Sequence, residues 1–337
     1  MTRPRFDVLG IGNAIVDIIA RAEDDFLVRE GLAKGSMRLI DAAEAERLYD
    51  HMGPAKEISG GSAANTIAAL AGLGGRAAYF GKVAEDHLGA IFRHDIRAVG
   101  VHFDTPALHT GAADWAPTAR SMILVTPDGE RTMNTFLGAC THLTPDDIDE
   151  AIVADSAAVY LEGYLWDPPA AKEAFRKAST IAHAHGRRVA LTLSDSFCVD
   201  RWRGEFLDLM RAGIVDLVFA NQTEVKALYE TADLAAGIEA LRGDVRLAAV
   251  TLSDEGSLVV SAEKVTAVPA TKVEAVVDTT GAGDLYAAGF LYGLTHDFDY
   301  GACAELGGLL AAEIIGHVGA RSQSDLVDLA RQAGFPV

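Results

Sequence analysis

The sequence predicts an α/β fold: a mostly parallel sheet flanked by helices in three layers, with a small β-sheet lid. Three observations predict it. Strand-like apolar runs alternate with amphipathic helical stretches through much of the chain, the pattern of a parallel sheet covered on both faces. Two glycine-rich turns, at Gly60-Gly61 and Gly281-Ala282-Gly283, each open a helix. Two regions, about 14–55 and 103–140, break the alternation with short segments and turn signals, and these are expected to form the lid.

The elements follow in order. Phe6 to Gly12 reads as a buried strand and ends in Asn13-Ala14-Ile15-Val16-Asp17, which places Asn13 and Asp17 just past its carboxyl end. In open α/β sheets that edge is where ligands bind. Gly60-Gly61-Ser62-Ala63-Ala64-Asn65-Thr66 opens a helix running from Ala63 to about Leu73. Met122 to Met133 reads as two strands joined by a hairpin turn at Pro127-Asp128-Gly129-Glu130. Ala157–Leu161 precedes a helix from about Pro169 to His185, and Val189–Leu193 precedes Arg203–Ala212. Leu217–Ala220 precedes Thr223–Tyr229 and Ala232–Leu241, and Leu247–Leu252 comes next. Lys272 to Val277 is a β-rich run that feeds the second glycine turn.

That second turn, Asp278-Thr279-Thr280-Gly281-Ala282-Gly283-Asp284, is the most informative stretch of the chain. Gly281 and Gly283 permit a tight bend and leave no side chain in front of the first helical N–H groups. Those unpaired donors, with the positive end of the helix dipole, make a pocket for a phosphate or a developing oxyanion. A fixed acid beside such amides repels phosphate, so Asp284 reads as a proton acceptor. The plain alternative is an ordinary strand-to-helix turn with Asp as a first-turn residue. At the first turn, paired glycines allow close approach of a ligand, and Asn65 offers both a donor and an acceptor. Gly10-x-Gly12 lacks the third glycine of a dinucleotide motif, and Asp17 stands where phosphate would approach.

Composition narrows the class. At 337 residues the chain can build a large core, and no apolar run reaches the roughly 20 residues of a membrane span. Met1-Thr-Arg-Pro-Arg leads straight into a core strand, so no signal peptide is expected. Cys140, Cys198 and Cys303 are few and widely spaced, which suits a reducing, cytoplasmic setting and inert packing roles. A formal net charge of −19 argues against nucleic-acid partners. There is no P-loop and no protein-kinase motif set, so phosphate handling falls to Gly281–Gly283.

The two glycine motifs, at their spacing, resemble the two signatures of the ribokinase-like (PfkB) carbohydrate kinase family, and the likeness covers essentially the whole chain as one domain, residues 1–337. Gly12–Asp17, Tyr160–Tyr164, Leu191–Ser194 and Phe219–Glu224 are similar to segments of its adenosine kinase branch. The resemblance implies an ATP-dependent kinase that phosphorylates the 5′-hydroxyl of adenosine to give AMP, with Mg²⁺ and K⁺ as cofactors. Asp284 would be the base, and the amides of Ala282, Gly283 and Asp284 the anion hole. Arg131, on the lid hairpin, matches a phosphate-directed arginine; its alternative is an exposed hairpin side chain.

By the same resemblance, Asp17 would hold ribose hydroxyls, joined by Gly60, Gly61, Ser62, Asn65 and Asn13. Met37, Leu39, Trp115, Met133, Phe136, Leu137, Tyr164 and Trp166 would wall a purine, about half of them as lid core. Glu162 stands where ribokinases carry a sugar-binding carboxylate, which keeps a sugar or sugar-acid kinase open as an alternative. A non-catalytic nucleoside-binding protein is a further alternative, against which the intact Asp284 and both glycine motifs count. The ATP site would fall in about 190–337. Asn221 would lie near the phosphates, Glu224 would organise Mg²⁺ through water, and Thr251, Ser253, Glu255 and Gly256 would flank the base and ribose. Gly308 stands where relatives place Asn or His beside adenine. Asp278 and Thr280, with carbonyls near Ile314, His317 and Gly319, would hold the monovalent cation. A monomer or a lid-mediated homodimer is expected.

Overall fold

A computed structural model describes residues 3–113 and 115–337. The larger sheet has eight strands in the order β13-β12-β11-β10-β9-β8-β1-β5. These are β1 (Phe6–Ile11), β5 (Ala77–Phe80), β8 (Ser156–Glu162), β9 (Arg188–Thr192), β10 (Leu217–Asn221), β11 (Leu247–Thr251), β12 (Ser257–Ser261) and β13 (Val265–Val268). The strands from β5 to β11 pair in parallel; β12 and β13 extend the sheet antiparallel. Parallel strands buried on both faces need continuous apolar sequence, and β1 is buried at every position. Its one acid, Asp7, survives burial because it accepts the Arg76 backbone N–H at 2.8 Å and the Arg76 guanidinium. Along β10 and β11 successive residues alternate between two cores. Leu217, Phe219, Leu247 and Ala249 join the core under helices Ser62–Gly72, Ala282–Thr295 and Tyr300–Ile314. Val218, Ala220, Ala248 and Val250 join the core under helices Pro169–Ala184 and Ser196–Arg211.

The second sheet is smaller, with strands β2 (Ile15–Arg21), β3 (Met37–Leu39), β4 (Ala55–Gly60), β6 (Ala119–Val125) and β7 (Arg131–Phe136) in the order β3-β7-β6-β2-β4. The expected hairpin joins β6 to β7, with Gly129 at φ +86° and its N–H donating to Thr126 O at 2.8 Å. The strands fall within and just beyond the regions expected to break the pattern; the described residues among 103–118 hold only an isolated bridge at Leu108. Period-two alternation gives this sheet two unlike faces. Val16, Ile18, Met122 and Leu124 are buried in the core, while Ile15, Asp17, Ser121 and Ile123 face a cavity.

Two expectations are corrected. Lys272–Val277 is not a strand: it pairs with no sheet, and Val276 and Val277 are 60% and 50% exposed. Its β-branched residues carry strand propensity without a neighbouring edge to use it. The helix expected from Arg203 starts at Ser196, because the Asp195 carboxylate caps it by accepting the Cys198 N–H at 2.6 Å.

Trp166 is also displaced from its expected place on a ligand wall. It is fully buried, packs against Phe175 and Phe206, and donates its indole N–H to Glu205 at 2.9 Å. Truncating a buried Trp costs about 3–5 kcal/mol. Trp166→Ala should therefore lower the unfolding free energy from denaturant titration by that amount, while the variant that remains folded keeps its substrate KM. A shifted KM with unchanged stability would return Trp166 to the ligand wall.

Candidate active site

A cavity of about 700 Å³ lies between the carboxyl edge of the larger sheet and the cavity face of the smaller one. Asn13 follows β1, Glu162 ends β8, Thr192 ends β9, Asn221 ends β10 and Thr251 ends β11, and all five line it. Asp17 enters from β2, opposite them.

The two glycine turns meet in this cavity. Gly61 caps helix Ser62–Gly72 at φ +96°, and a Cβ there would collide with the Asn13 carbonyl. Gly281 caps helix Ala282–Thr295 at φ +82°, and a Cβ there would press on Ala320. Only glycine suits both positions. Asp284, in the first turn of the second helix, accepts Ser62 Oγ at 2.6 Å on Oδ1 and Asn65 Nδ2 at 3.0 Å on Oδ2. The Ala282 N–H donates to Thr279 O at 3.2 Å, so it is not a free donor as expected. The N–H groups of Gly283 and Asp284 have no acceptor among the described residues, and nothing would stand in front of Gly283 even with a Cβ.

Burial sets the protonation of these carboxyls. It pushes Asp284 up to about 6, against the downward pull of the Ser62 and Asn65 hydrogen bonds and of Arg321. Asp17 is pushed up to about 7 by burial, with Arg321 and Arg131 pulling down and Asp284 pushing up. Glu162 is likewise raised to about 7 by burial, opposed by its hydrogen bonds. Those bonds change the reading of Glu162. It is 1% exposed, accepts Asn13 Nδ2 at 2.6 Å and accepts the Ala63 N–H at 2.8 Å. Its carboxylate holds the first turn's helix against the end of β1, so it is committed to the wall.

Other expected residues divide clearly. Met37, Leu39, Met133, Leu137 and Tyr164 line the cavity, with the Tyr164 ring anchored by its hydroxyl on Ser194 O at 3.2 Å. Phe136 instead packs on the core, and Trp115 lies outside the lining. Gly60 sits beside the Asp17 carboxylate, which a Cβ would strike. Asn221 and Glu224 line the cavity as a reciprocal cap of helix Gln222–Leu228, with Asn221 Nδ2 donating to Glu224 Oε1 at 2.6 Å. Burial raises Glu224 to about 7. Ser253, Glu255 and Gly256 do not line it: their turn is drawn back onto the end of β13, with the Leu252 N–H on Gly256 O at 2.8 Å. Gly308 faces Thr271 instead.

The expected cation site is also rearranged. Arg131 Nη2 lies 2.6 Å from Asp278 Oδ2, an ion pair without the alignment of a hydrogen bond, and both side chains are under a tenth exposed. Gly319 supplies an N–H to Asp278, and His317 pairs with Glu313 at 3.1 Å. Among the described residues no three His, Cys, Asp or Glu side chains gather to hold a metal.

Arg321 is the main residue that sequence reasoning missed. It donates to Ser59 O, Ala64 O and Ser59 Oγ, each at 3.1 Å, and its charge acts on both Asp17 and Asp284. A single arginine carries no motif; only its place two residues after Gly319 hinted at proximity to the second turn.

Comparison with known proteins agrees with this geometry. The model of the pfkB family carbohydrate kinases matches residues 34–326, and the chain belongs to that family. It is a phosphotransferase acting on hydroxyl groups, a nucleoside or sugar kinase, and its family uses ATP, usually with Mg²⁺. The adenosine kinase from Sinorhizobium meliloti is 60% identical, with a TM-score of 0.91 covering 98% of this chain and 100% of that one. A probable sugar kinase from Rhizobium etli is 54% identical, also at TM-score 0.91, covering 98% and 99%. An ATP-dependent ribose-1-phosphate kinase from Halopiger xanaduensis is 32% identical over 79% of this chain and 83% of its own length.

With Asp284 as the base, only its ionised form accepts a proton. Turnover should rise with pH through about 6 and level off above. Asp284→Asn should lower kcat by at least about 10²-fold and retain ligand binding. A variant with near wild-type turnover, or a flat profile across pH 5–7 in the wild type, would remove Asp284 from the chemistry.

Proposed function

We propose that the protein transfers the γ-phosphoryl group of ATP to the 5′-hydroxyl of adenosine. The observation that carries this reading is the cavity face of the small sheet. Ile15, Met37, Ile123 and Met133 offer an apolar wall, and Asp17 interrupts it with a carboxylate that has no hydrogen-bond donor among the described residues. A flat purine suits the wall, and vicinal ribose hydroxyls suit the carboxylate. Asn13 and Asn65 each keep a side-chain carbonyl oxygen without a donor, which suits a ligand rich in hydroxyls.

In this reading Asp284 takes the proton of the 5′-hydroxyl as its oxygen bonds to the γ-phosphorus and the bond to ADP breaks. The open N–H groups of Gly283 and Asp284 face the charge on the transferred group. Mg²⁺ would neutralise phosphate charge when bound; Glu224, beside Asn221, is the carboxylate placed to meet it through water, since this ion keeps much of its hydration.

The ribose-1-phosphate kinase similarity supports a second reading, a phosphorylated sugar as acceptor. A phosphate on the acceptor needs a free cation, and two arginines line the cavity, Arg38 and Arg201, the latter held by both oxygens of Asp167 at 3.2 and 3.0 Å. The Arg38 guanidinium is likewise engaged, by Asn134 at 2.7 Å and Glu44 at 2.5 Å. A neutral nucleoside fits better. Adenosine should therefore exceed ribose, fructose, 2-keto-3-deoxygluconate and ribose 1-phosphate in kcat/KM by at least about tenfold. Steady-state assays with each acceptor and MgATP test this. Equal or better efficiency with ribose 1-phosphate would favour the second reading, and with a free sugar would move the protein to the sugar kinases.

A further inference from the structure

Asp278 lies three residues before Gly281 and is almost sealed from solvent. Its Oδ1 accepts the Thr280 N–H at 3.0 Å and its Oδ2 accepts the Gly319 N–H at 2.9 Å. A buried carboxylate of this kind is costly without a cation. Here the cation is Arg131, the first residue of β7, reaching from the small sheet to 2.6 Å from the same Oδ2. The Arg131 guanidinium thus crosses between the two sheets' domains of the fold and meets the loop that feeds the anion-binding turn.

Part of the set expected to complete a monovalent cation site has other duties. The Ile314 carbonyl accepts the His317 N–H at 3.4 Å, and the Ile315 carbonyl accepts the N–H groups of Val277 and Asp278 at 2.8 and 3.3 Å. An ion placed against Asp278 would also meet the like charge of Arg131 at close range in a poorly solvated site. The residues present do not fit K⁺.

We propose that Arg131 is the resident cation of the anion turn: a positioning residue that balances Asp278, fixes the Thr280–Gly283 backbone, and makes turnover independent of monovalent cations. Because Arg131 belongs to the small sheet, the turn is charge-balanced only while that sheet lies over the cavity. Closure of the small sheet and readiness of the anion-binding amides are therefore one event. This inference does not depend on which hydroxyl compound is the acceptor.

The test compares K⁺ with tetramethylammonium at equal ionic strength, by turnover in MgATP and by thermal unfolding without substrate. Wild-type rates should agree within about twofold, with no K⁺-specific change in Tm. Arg131→Gln should lose at least about tenfold in kcat in tetramethylammonium, regain part of it in K⁺, and show a K⁺-dependent rise in Tm. Arg131→Lys, which keeps the charge, should stay indifferent to K⁺ in both measurements. A wild type that K⁺ activates several-fold or stabilises would overturn the proposal. So would an Arg131→Gln protein that loses turnover but responds to K⁺ in neither measurement, since Arg131 would then act on the phosphates directly. Should Arg131→Gln fail to fold, the wild-type and Arg131→Lys thermal comparisons decide alone, because they need neither that variant nor a substrate.

Discussion

The hydrogen bonds from Ser62 and Asn65 to Asp284 are the constraint on which the rest depends. They join residues 222 and 219 positions apart, one from each glycine turn. For them to form, helix Ser62–Gly72 and helix Ala282–Thr295 must lie side by side on one face of the larger sheet with their N-termini at the same edge. The glycines at positive φ that cap both helices serve that approach. They leave donors facing the cavity where a side chain would otherwise stand. Asp284 is thereby fixed in orientation and partly desolvated. A carboxylate in that state is more basic than one in water, yet it still ionises near neutral pH.

Charge balance then shapes the surroundings. Asp17, Glu162 and Asp284 share one cavity, and the charge of Asp284 raises the cost of ionising the other two. Arg321 offsets part of this from beneath, held by Ser59 and Ala64 at the base of the first turn. Burial lowers the pKa of Arg321 itself to about 10, which still leaves it charged at neutral pH. Glu162 is satisfied locally, through Asn13 and the Ala63 N–H, so it adds rigidity without offering a free oxygen pair to a ligand. The same carboxylate type therefore does two different jobs, set by which donors reach it.

Much of this was legible in the sequence where local pattern and tertiary outcome agree. The buried strands β1 and β8 to β11, the alternation of the lid strands and the two helix-opening turns all carry their signal within a few residues. Lys272–Val277 failed because propensity cannot report whether an edge is free to pair. Phe136 and Trp166 failed because aromatic content does not say which side of a wall a ring occupies. Glu162 and Arg131 were seen as chemically significant, but their partners lie 99 to 149 residues away for Glu162 and across two sheets for Arg131. Pairings over such distances are decided by topology. Arg321 carries no motif, and only its place two residues after Gly319 pointed toward the second turn.

The overall charge of −19 poses a last physical question, since the substrate of any ATP-dependent kinase is itself a polyanion. Long-range steering works against such a ligand, and both buried arginines near the cavity are already engaged, Arg131 by Asp278 and Arg321 by backbone oxygens. What remains for phosphate is short-range: the free N–H groups of Gly283 and Asp284 and the field of their helix, effective only once solvent is displaced. Attraction of this kind falls off within a turn of helix, so it discriminates by position and scarcely by net charge. In the proposed reading the turn would hold the reacting phosphoryl group in place, with the divalent ion offsetting the charge of the remaining phosphates. The acidic surface and the phosphate-handling turn are compatible because they act over different distances.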